Sequence, residues 1–177
     1  MVVQLAVATP WSFYWGASSV EALAARAAER GVRALGLCDA GGLWGAVPFQ
    51  KACLAVGVRP IFGVRLCVEG VSVHLIALDA AGWAVLCRLV TRAQCGGRPT
   101  DSPGLGHSRV LLDWVAAESG AGTFAVLSHD AIWLSELARL VGKDDLFATT
   151  AEAAFQAGLP FVAAPQVVMA DPGLHAR

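Results

Sequence analysis

Three times in this chain a helical stretch stops at a glycine and passes straight into a short apolar run. That recurrence limits the folds open to it. Val20 to Arg30 leads through Gly31 into Val32–Leu37. Phe49 to Val56 leads through Gly57 into Val58–Val64, and Glu152 to Ala157 leads through Gly158 into Leu159–Ala164. Glycine just past a helix supplies the left-handed conformation that ends it. Helix starts are marked as well. Ser18-x-x-Glu21 and Thr149-x-x-Glu152 read as capping boxes. Asp79 reads as the cap of a helix through about Ala93, with Trp83, Leu86 and Val90, and Cys87 beside them, turned inward.

Seven short runs, roughly 2–8, 33–38, 58–67, 71–78, 123–127, 145–148 and 160–164, are nearly wholly apolar. This is the pattern of parallel strands covered on both faces. The runs 58–67 and 71–78 are too close for a crossover helix and read as a hairpin across Glu69-Gly70. Alternating strands and helices define an α/β fold, whose seven strands either close into a distorted barrel or stay open. Gln94–Ser108 carries four Gly and two Pro and reads as a long exposed loop. Residues 1–170 are expected to form one domain, with 171–177 as a tail.

The 177 residues are 56% hydrophobic and 15% charged, which excludes intrinsic disorder. A formal net charge of -1 provides no global basic field, so direct nucleic-acid binding is not expected. The 33 alanines account for part of the oiliness. The remainder, six Trp included, leaves room for a partner-binding surface. The cysteines Cys38, Cys53, Cys67, Cys87 and Cys95 contain no C-x-x-C pair and read as buried thiols of a reducing compartment. No run of 18 apolar residues spans a membrane, and Met1-Val2-Val3-Gln4-Leu5 lacks the layout of a signal peptide. The expected location is the cytoplasm.

Parallel α/β folds place chemistry at the C-terminal strand ends. Those ends offer Asp39, His129 and Asp130, with His74 on the fourth run and the cation Arg65 on the third. A hydrolytic metal site needs three or more convergent His, Asp or Glu side chains per ion, so this rim is thin for one metal. The order of motifs is more specific. Gly16-Ala17-Ser18-Ser19 is followed by Leu43-Trp44-Gly45-Ala46-Val47-Pro48-Phe49-Gln50-Lys51-Ala52-Cys53 and then by Arg59-Pro60-Ile61-Phe62-Gly63. His74-Leu75-Ile76-Ala77-Leu78, Gly82-Trp83 and Cys87-Arg88-Leu89-Val90-Thr91-Arg92-Ala93 continue the series. This set resembles the PHP (polymerase and histidinol phosphatase) domain, and specifically the N-terminal PHP domain of bacterial C-family DNA polymerases, both replicative alpha subunit and error-prone relative. The resemblance is dense from about 5 to 94 and weaker from 122 to 177. It implies a distorted seven-stranded β/α barrel of PHP type, here shortened, and a metal-dependent phosphoesterase site.

The departures fall on the metal ligands that the resemblance implies. The family's opening His-x-His reads Ala6 and Ala8, and its Thr-Asp-His-Gly reads Cys38-Asp39-Ala40-Gly41. Arg65 stands where the family has Glu, His129-Asp130 occupies the turn where it often has Cys or His, and the closing Asn-Asp-x-His reads Pro165-Gln166-Val167-Val168. A guanidinium stays charged and repels a divalent ion. The vestigial cleft positions are therefore Ala6, Ala8, Asp39, Ala40, Arg65, His74, His129, Asp130, Gln166 and Val168, with no catalytic or metal residue assigned. The expected cofactor is none; the alternative is a single weakly bound divalent metal such as Zn or Mn.

Each polar position has a structural reading beside its functional one. Asp39 is a remnant ligand or, more simply, the cap of the next helix. His129 and Asp130 form a general-base pair or, more simply, a helix cap. His74 is a hydrogen-bonded core or rim side chain. Arg65 pairs with Asp39 or Asp130, stands solvated, or holds an anion. Arg88, Arg92, Arg98, His107 and Arg109 form a phosphate-contacting patch or a solvated face. Trp11, Phe13, Tyr14 and Trp15 plug the cleft, dock a partner or stack on bases. No palm, fingers or thumb of a polymerase is expected within these 177 residues. The sequence therefore points to a non-catalytic PHP module serving a C-family polymerase or another polymerase-system protein in trans. A residual phosphoesterase or 3′–5′ exonuclease, or a small anion-binding protein, is the alternative.

Overall fold

The computed structural model describes residues 2–13, 15–68, 70–95, 109–119 and 122–167. Val168, Tyr14, Glu69, the 171–177 tail and the expected loop beyond Cys95 lie outside the described residues. The chain divides into two compact units, Met1–Val64 with Ala164–Arg177, and Arg65–Ala163.

The first unit contains β1 (Val2–Val7), α1 (Val20–Glu29), β2 (Val32–Ala40), α2 (Ala46–Ala55), the first half of β3 (Arg59–Val68), and β7 (Gln166–Val167). β1 lies between β2 and β7 and runs parallel to both. Burial along β2 is unbroken from Ala34 to Asp39, as expected for a parallel strand covered on both faces. α1 turns Val20, Leu23, Ala24 and Ala27 inward, and α2 turns Ala46, Phe49, Ala52 and Cys53 inward. Fully buried Leu37 and Phe49 each contribute about 2 kcal/mol from removed apolar surface. The helix stops match expectation: Gly31, Gly57 and, in the second unit, Gly158 take φ of 68°, 73° and 61°. The first start differs by one residue. Ser19, not Ser18, caps α1, its Oγ accepting from Ala22 N at 3.2 Å, while Ser18 is buried. α2 opens at Ala46 rather than Phe49, because Pro48 falls in the first turn, where its missing N–H has no helical partner to lose.

The second unit continues β3 and adds β4 (Val71–Ala77), α3 (Ala80–Cys95), α4 (Arg109–Glu118), β5 (Phe124–Ser128), α5 (Ala131–Val141), β6 (Leu146–Ala148) and α6 (Ala151–Ala157). β3 and β4 are sheet neighbours, joined through residues 69 and 70. β4 pairs antiparallel with β5, and β5 parallel with β6. β5 is buried throughout, whereas β4 alternates, so only some strands carry the doubly covered pattern. The helices bury Leu86, Leu89, Leu111, Leu112, Trp133, Leu134 and Leu137. Asp79 caps α3 as expected, its Oδ1 accepting from Gly82 N at 2.7 Å. The inner face of α3 is Gly82, Val85, Leu86, Leu89 and Ala93, rotated one position from the expected Trp83, Leu86 and Val90. α6 is capped by Thr150, not Thr149.

The strand expected over 160–164 does not form as a strand. Phe161 makes one isolated parallel bridge to Ala148. Pro160 and Pro165 at either end of that run bring no N–H to a ladder. The architecture is α/β, but the last strand is only the two-residue β7. Two cysteines are buried as expected, Cys38 and Cys53, and burial pushes the Cys53 thiol up to about 11. Cys67 and Cys87 are half-buried and Cys95 is exposed, against expectation. Among the described residues no helix is long and apolar enough to cross a membrane.

Candidate functional site

The first unit gathers Ala6, Ala8, Asp39, Ala40 and Gln166 at neighbouring strand positions. Ala6 pairs with Gln166 across β1 and β7, and Ala8 N donates to Val167 O at 2.8 Å. Ala6, Ala8 and Asp39 are fully buried. Asp39 does not cap the next helix, because α2 starts behind Gly45 with no side-chain cap. Its carboxylate reaches the β1–α1 turn instead. Oδ1 accepts from Thr9 N at 2.7 Å and from Ser12 Oγ at 2.6 Å, and Oδ2 accepts from Thr9 Oγ1 at 2.7 Å. Ser12 Oγ in turn accepts from Ala40 N at 2.9 Å. Each buried polar atom of this hub therefore has a partner, as burial demands.

The backbone is shaped around the hub. The turn after β1 winds tightly, with Ser12 N donating to Thr9 O and Gly16 N to Ser12 O. A Cβ on Gly45 would stand 2.7 Å from Asp39 Oδ2, so that position has room only for glycine. Thr9 and Ser12 were not among the expected site residues. The available signal was a pair of short hydroxyl side chains three residues apart, straight after a strand whose neighbour ends in Asp.

Of the aromatic cluster, half-buried Trp11 sits beside the hub, its N donating to Thr9 Oγ1 at 3.4 Å and its ring bordering the space at Gly45 next to Asp39, whereas Phe13 and Trp15 do not cover it. Phe13 is 76% and Trp15 49% exposed. Trp44, in the β2–α2 connection, is 55% exposed, and Val47 and Leu54 on the outer face of α2 are each 62% exposed. The β1–α1 and β2–α2 connections both follow parallel strands and so leave the sheet at the same end. The first unit thus presents large apolar side chains beside a closed polar hub.

The second unit gathers Arg65, His74, His129 and Asp130. His74 on β4 pairs with Leu127 on β5, and His129 follows directly after the end of β5. Burial, with the positive charges of Arg65 and His129, lowers the His74 pKa to about 4. His74 is not the hydrogen-bonded side chain expected: among the described residues its buried Nε2 has no partner. Asp130 is the cap of α5, its Oδ1 accepting from Trp133 N at 2.9 Å. Arg88 and Arg92 are exposed on α3, as the solvated-face reading expects, and each has a partner there. Arg88 grips Glu118 through Nε and Nη2, the latter at 2.6 Å, and Arg92 lies over the Trp114 ring at 5.7 Å.

Neither unit, taken by itself, offers a donor set that fits a divalent ion among the described residues. Asp39 already takes three hydrogen bonds, Ala6 and Ala8 offer methyl groups, and the basic groups of the second unit stand next to one another. Among the described residues no three His, Cys, Asp or Glu side chains converge into a metal site.

Fold and sequence place the chain in a family. The profile of the PHP domain matches residues 4–158, and the chain belongs to that family. Its relatives include an error-prone DNA polymerase of Symbiobacterium thermophilum, 38% identical over 135 residues, which are 72% of this chain and 12% of the relative. An error-prone DNA polymerase of Anaeromyxobacter sp. strain K is 40% identical over 124 residues, 66% of this chain and 11% of the relative. The chain thus spans about one-eighth of the length of these polymerases. Among solved structures, an amidohydrolase from Chromobacterium violaceum superposes with TM-score 0.55 at 13% identity, covering 94% of this chain and 87% of that one. A protein of Bifidobacterium adolescentis assigned as a metal-dependent phosphoesterase gives TM-score 0.51 at 12% identity, covering 93% and 86%. These two likenesses show the fold alone.

Proposed function

We propose that this chain is a metal-degenerate PHP module, without catalytic activity of its own, that docks on the polypeptide of a bacterial C-family DNA polymerase in the cytoplasm. In this reading residues 1–170 work as one domain derived from the distorted seven-stranded β/α barrel of the family. The observation that carries it is the Asp39 carboxylate, whose oxygens are taken up by Thr9 and Ser12. A carboxylate bound this way holds a turn closed, and releasing it to a metal would strand three buried donors. The same fact weighs against a one-metal phosphoesterase, whose other carboxylate, Asp130, is engaged as a helix cap.

The stretches that match this chain are segments of much longer polymerase polypeptides, which supplies the partner's chemistry. The exposed Trp44, Val47 and Leu54 supply a surface for it. Desolvated aromatic and aliphatic anchors dominate protein interfaces. The test mixes the purified chain with the C-family polymerase of the same genome in analytical size exclusion and titration calorimetry. A one-to-one complex is expected. Val47→Glu with Leu54→Glu should weaken it by about a hundredfold or more, the loss of two hot-spot anchors, while leaving unfolding stability within about 0.5 kcal/mol. A polymerase that ignores the chain, or a double variant that binds like the parent, would overturn the docking role.

A further inference from the structure

Helix α5 presents a face that the packing of the second unit leaves uncovered. Its inner side is Trp133, Leu134 and Leu137, and it packs against both α4 and α6. On the outer side Ile132, Glu136, Arg139 and Leu140 recur at helical spacing and form one stripe. Ile132 and Leu140 are each 54% exposed, and Phe155 on α6 is 91% exposed. Just past α5, Lys143 Nζ donates to Gly158 O at 3.2 Å, at the end of α6. Leu140 stands about one turn before Lys143, and Phe155 about one turn before Gly158. Both helices follow parallel strands, so Leu140 and Phe155 lie at the same level of neighbouring helices and form one apolar patch. Large apolar side chains grouped this way mark a contact surface.

The charges of the stripe say what covers it. Glu136 and Arg139 are three apart on the helix, yet neither makes an ion pair or a side-chain hydrogen bond with any described residue. Ser135 asks nothing of a partner, because its Oγ donates to Ala131 O of its own helix at 2.7 Å. An acid and a base side by side on one helix are complementary to the same helix turned end for end. We infer that α5 pairs antiparallel with α5 of a second copy about a two-fold axis, centred between Leu137 and Ala138. Each Glu136 then meets Arg139 of the other copy, twice over, as an isologous interface requires. Leu140 lies over the small Ser135 of the second copy, and Phe155 widens the contact beside it. Any other protein would have to supply both charges at this spacing, whereas a second copy does so by symmetry. The residues differ from those of the docking face, so this inference stands apart from that reading.

Sedimentation equilibrium of the full chain should show a monomer–dimer equilibrium in the micromolar range. Arg139→Glu and Glu136→Arg should each weaken the dimer by about tenfold or more, since each sets like charges together at two places. Mixed in equal amounts, the two variants should form a heterodimer close to the parent in strength, because every pair between the copies is again opposite in sign. Leu140→Glu should also weaken the dimer, through the apolar patch alone. Thermal melts matching the parent are expected for all three variants, whose changes lie on the outer face of α5. A chain that stays monomeric through that range, a dimer indifferent to both charge reversals, or a mixture no tighter than either variant alone would overturn the pairing. So would a monomeric parent whose binding to the polymerase is lost in Leu140→Glu, which would assign the face to the polymerase.

Discussion

Replacing Asp39 with alanine is expected to lower the folding stability of this chain by about 4 kcal/mol, since three buried donors lose their acceptor at once. Those donors are Thr9 N, Thr9 Oγ1 and Ser12 Oγ. A loss of that size is a large share of the roughly 5–15 kcal/mol that holds a domain folded. Urea denaturation of the variant measures it directly. Asp39→Asn keeps the volume and one acceptor oxygen, so it should cost about half as much. A double-mutant cycle between Asp39→Asn and Ser12→Ala should return a coupling of about 1 kcal/mol or more, because the two side chains share one bond. If Asp39 were a metal ligand held open for an ion, the metal-free variant would be about as stable as its parent or better.

The second large effect is an acid-dependent loss of stability centred on His74. Its pKa is near 6.5 in an unfolded chain and is lowered to about 4 in the folded one. Between those values the unfolded state binds the proton and the folded state does not, so stability falls as pH falls from 6.5 through 4 and is fully present above 6.5. The size, from the separation of the two values, is about 3 kcal/mol. Denaturant midpoints in phosphate-free buffer should therefore slope through this window, and His74→Leu should remove most of the slope. Other groups titrate in the same range, which makes the difference between parent and variant the informative quantity. A parent and a His74→Leu variant with parallel profiles would show that the ring keeps its ordinary pKa in the folded chain.

Much of the frame is written in local chemistry. The glycines at 31, 57 and 158 stop helices because only glycine takes positive φ without strain, and no tertiary contact can reverse that. Asp79 caps a helix with its own side chain, another local event. Local chemistry is not enough where two equivalent residues compete or where partners are distant in sequence. Ser18 and Ser19 are both competent caps, as are Thr149 and Thr150, but Ser18 is itself buried and Thr149 N is tied to Ser128 O, and the next residue takes the cap in each pair. The run 160–164 is apolar enough for a strand, but the prolines beside it matter more than hydropathy. The partners of Asp39 lie 27 and 30 residues away, and a spacing rule for helix caps could not find them. Phe13 and Trp15 read as a plug because large aromatics favour burial, yet the tight turn that seats Ser12 on Asp39 leaves both of them exposed. The influence of Arg65 and His129 on His74 comes from residues 9 and 55 positions away, which a linear motif does not bring together.

The most direct test is metal content. The purified chain is incubated with manganese, zinc and ferrous iron, passed through a desalting column and assayed by inductively coupled plasma mass spectrometry, with an unrelated apoprotein alongside. The expected result is far less than one ion per chain for each metal and no rise in the unfolding midpoint when metal is present. One or more equivalents retained through the column, bound to protein side chains by X-ray absorption, would contradict the account and return the chain to the metal-dependent phosphoesterases.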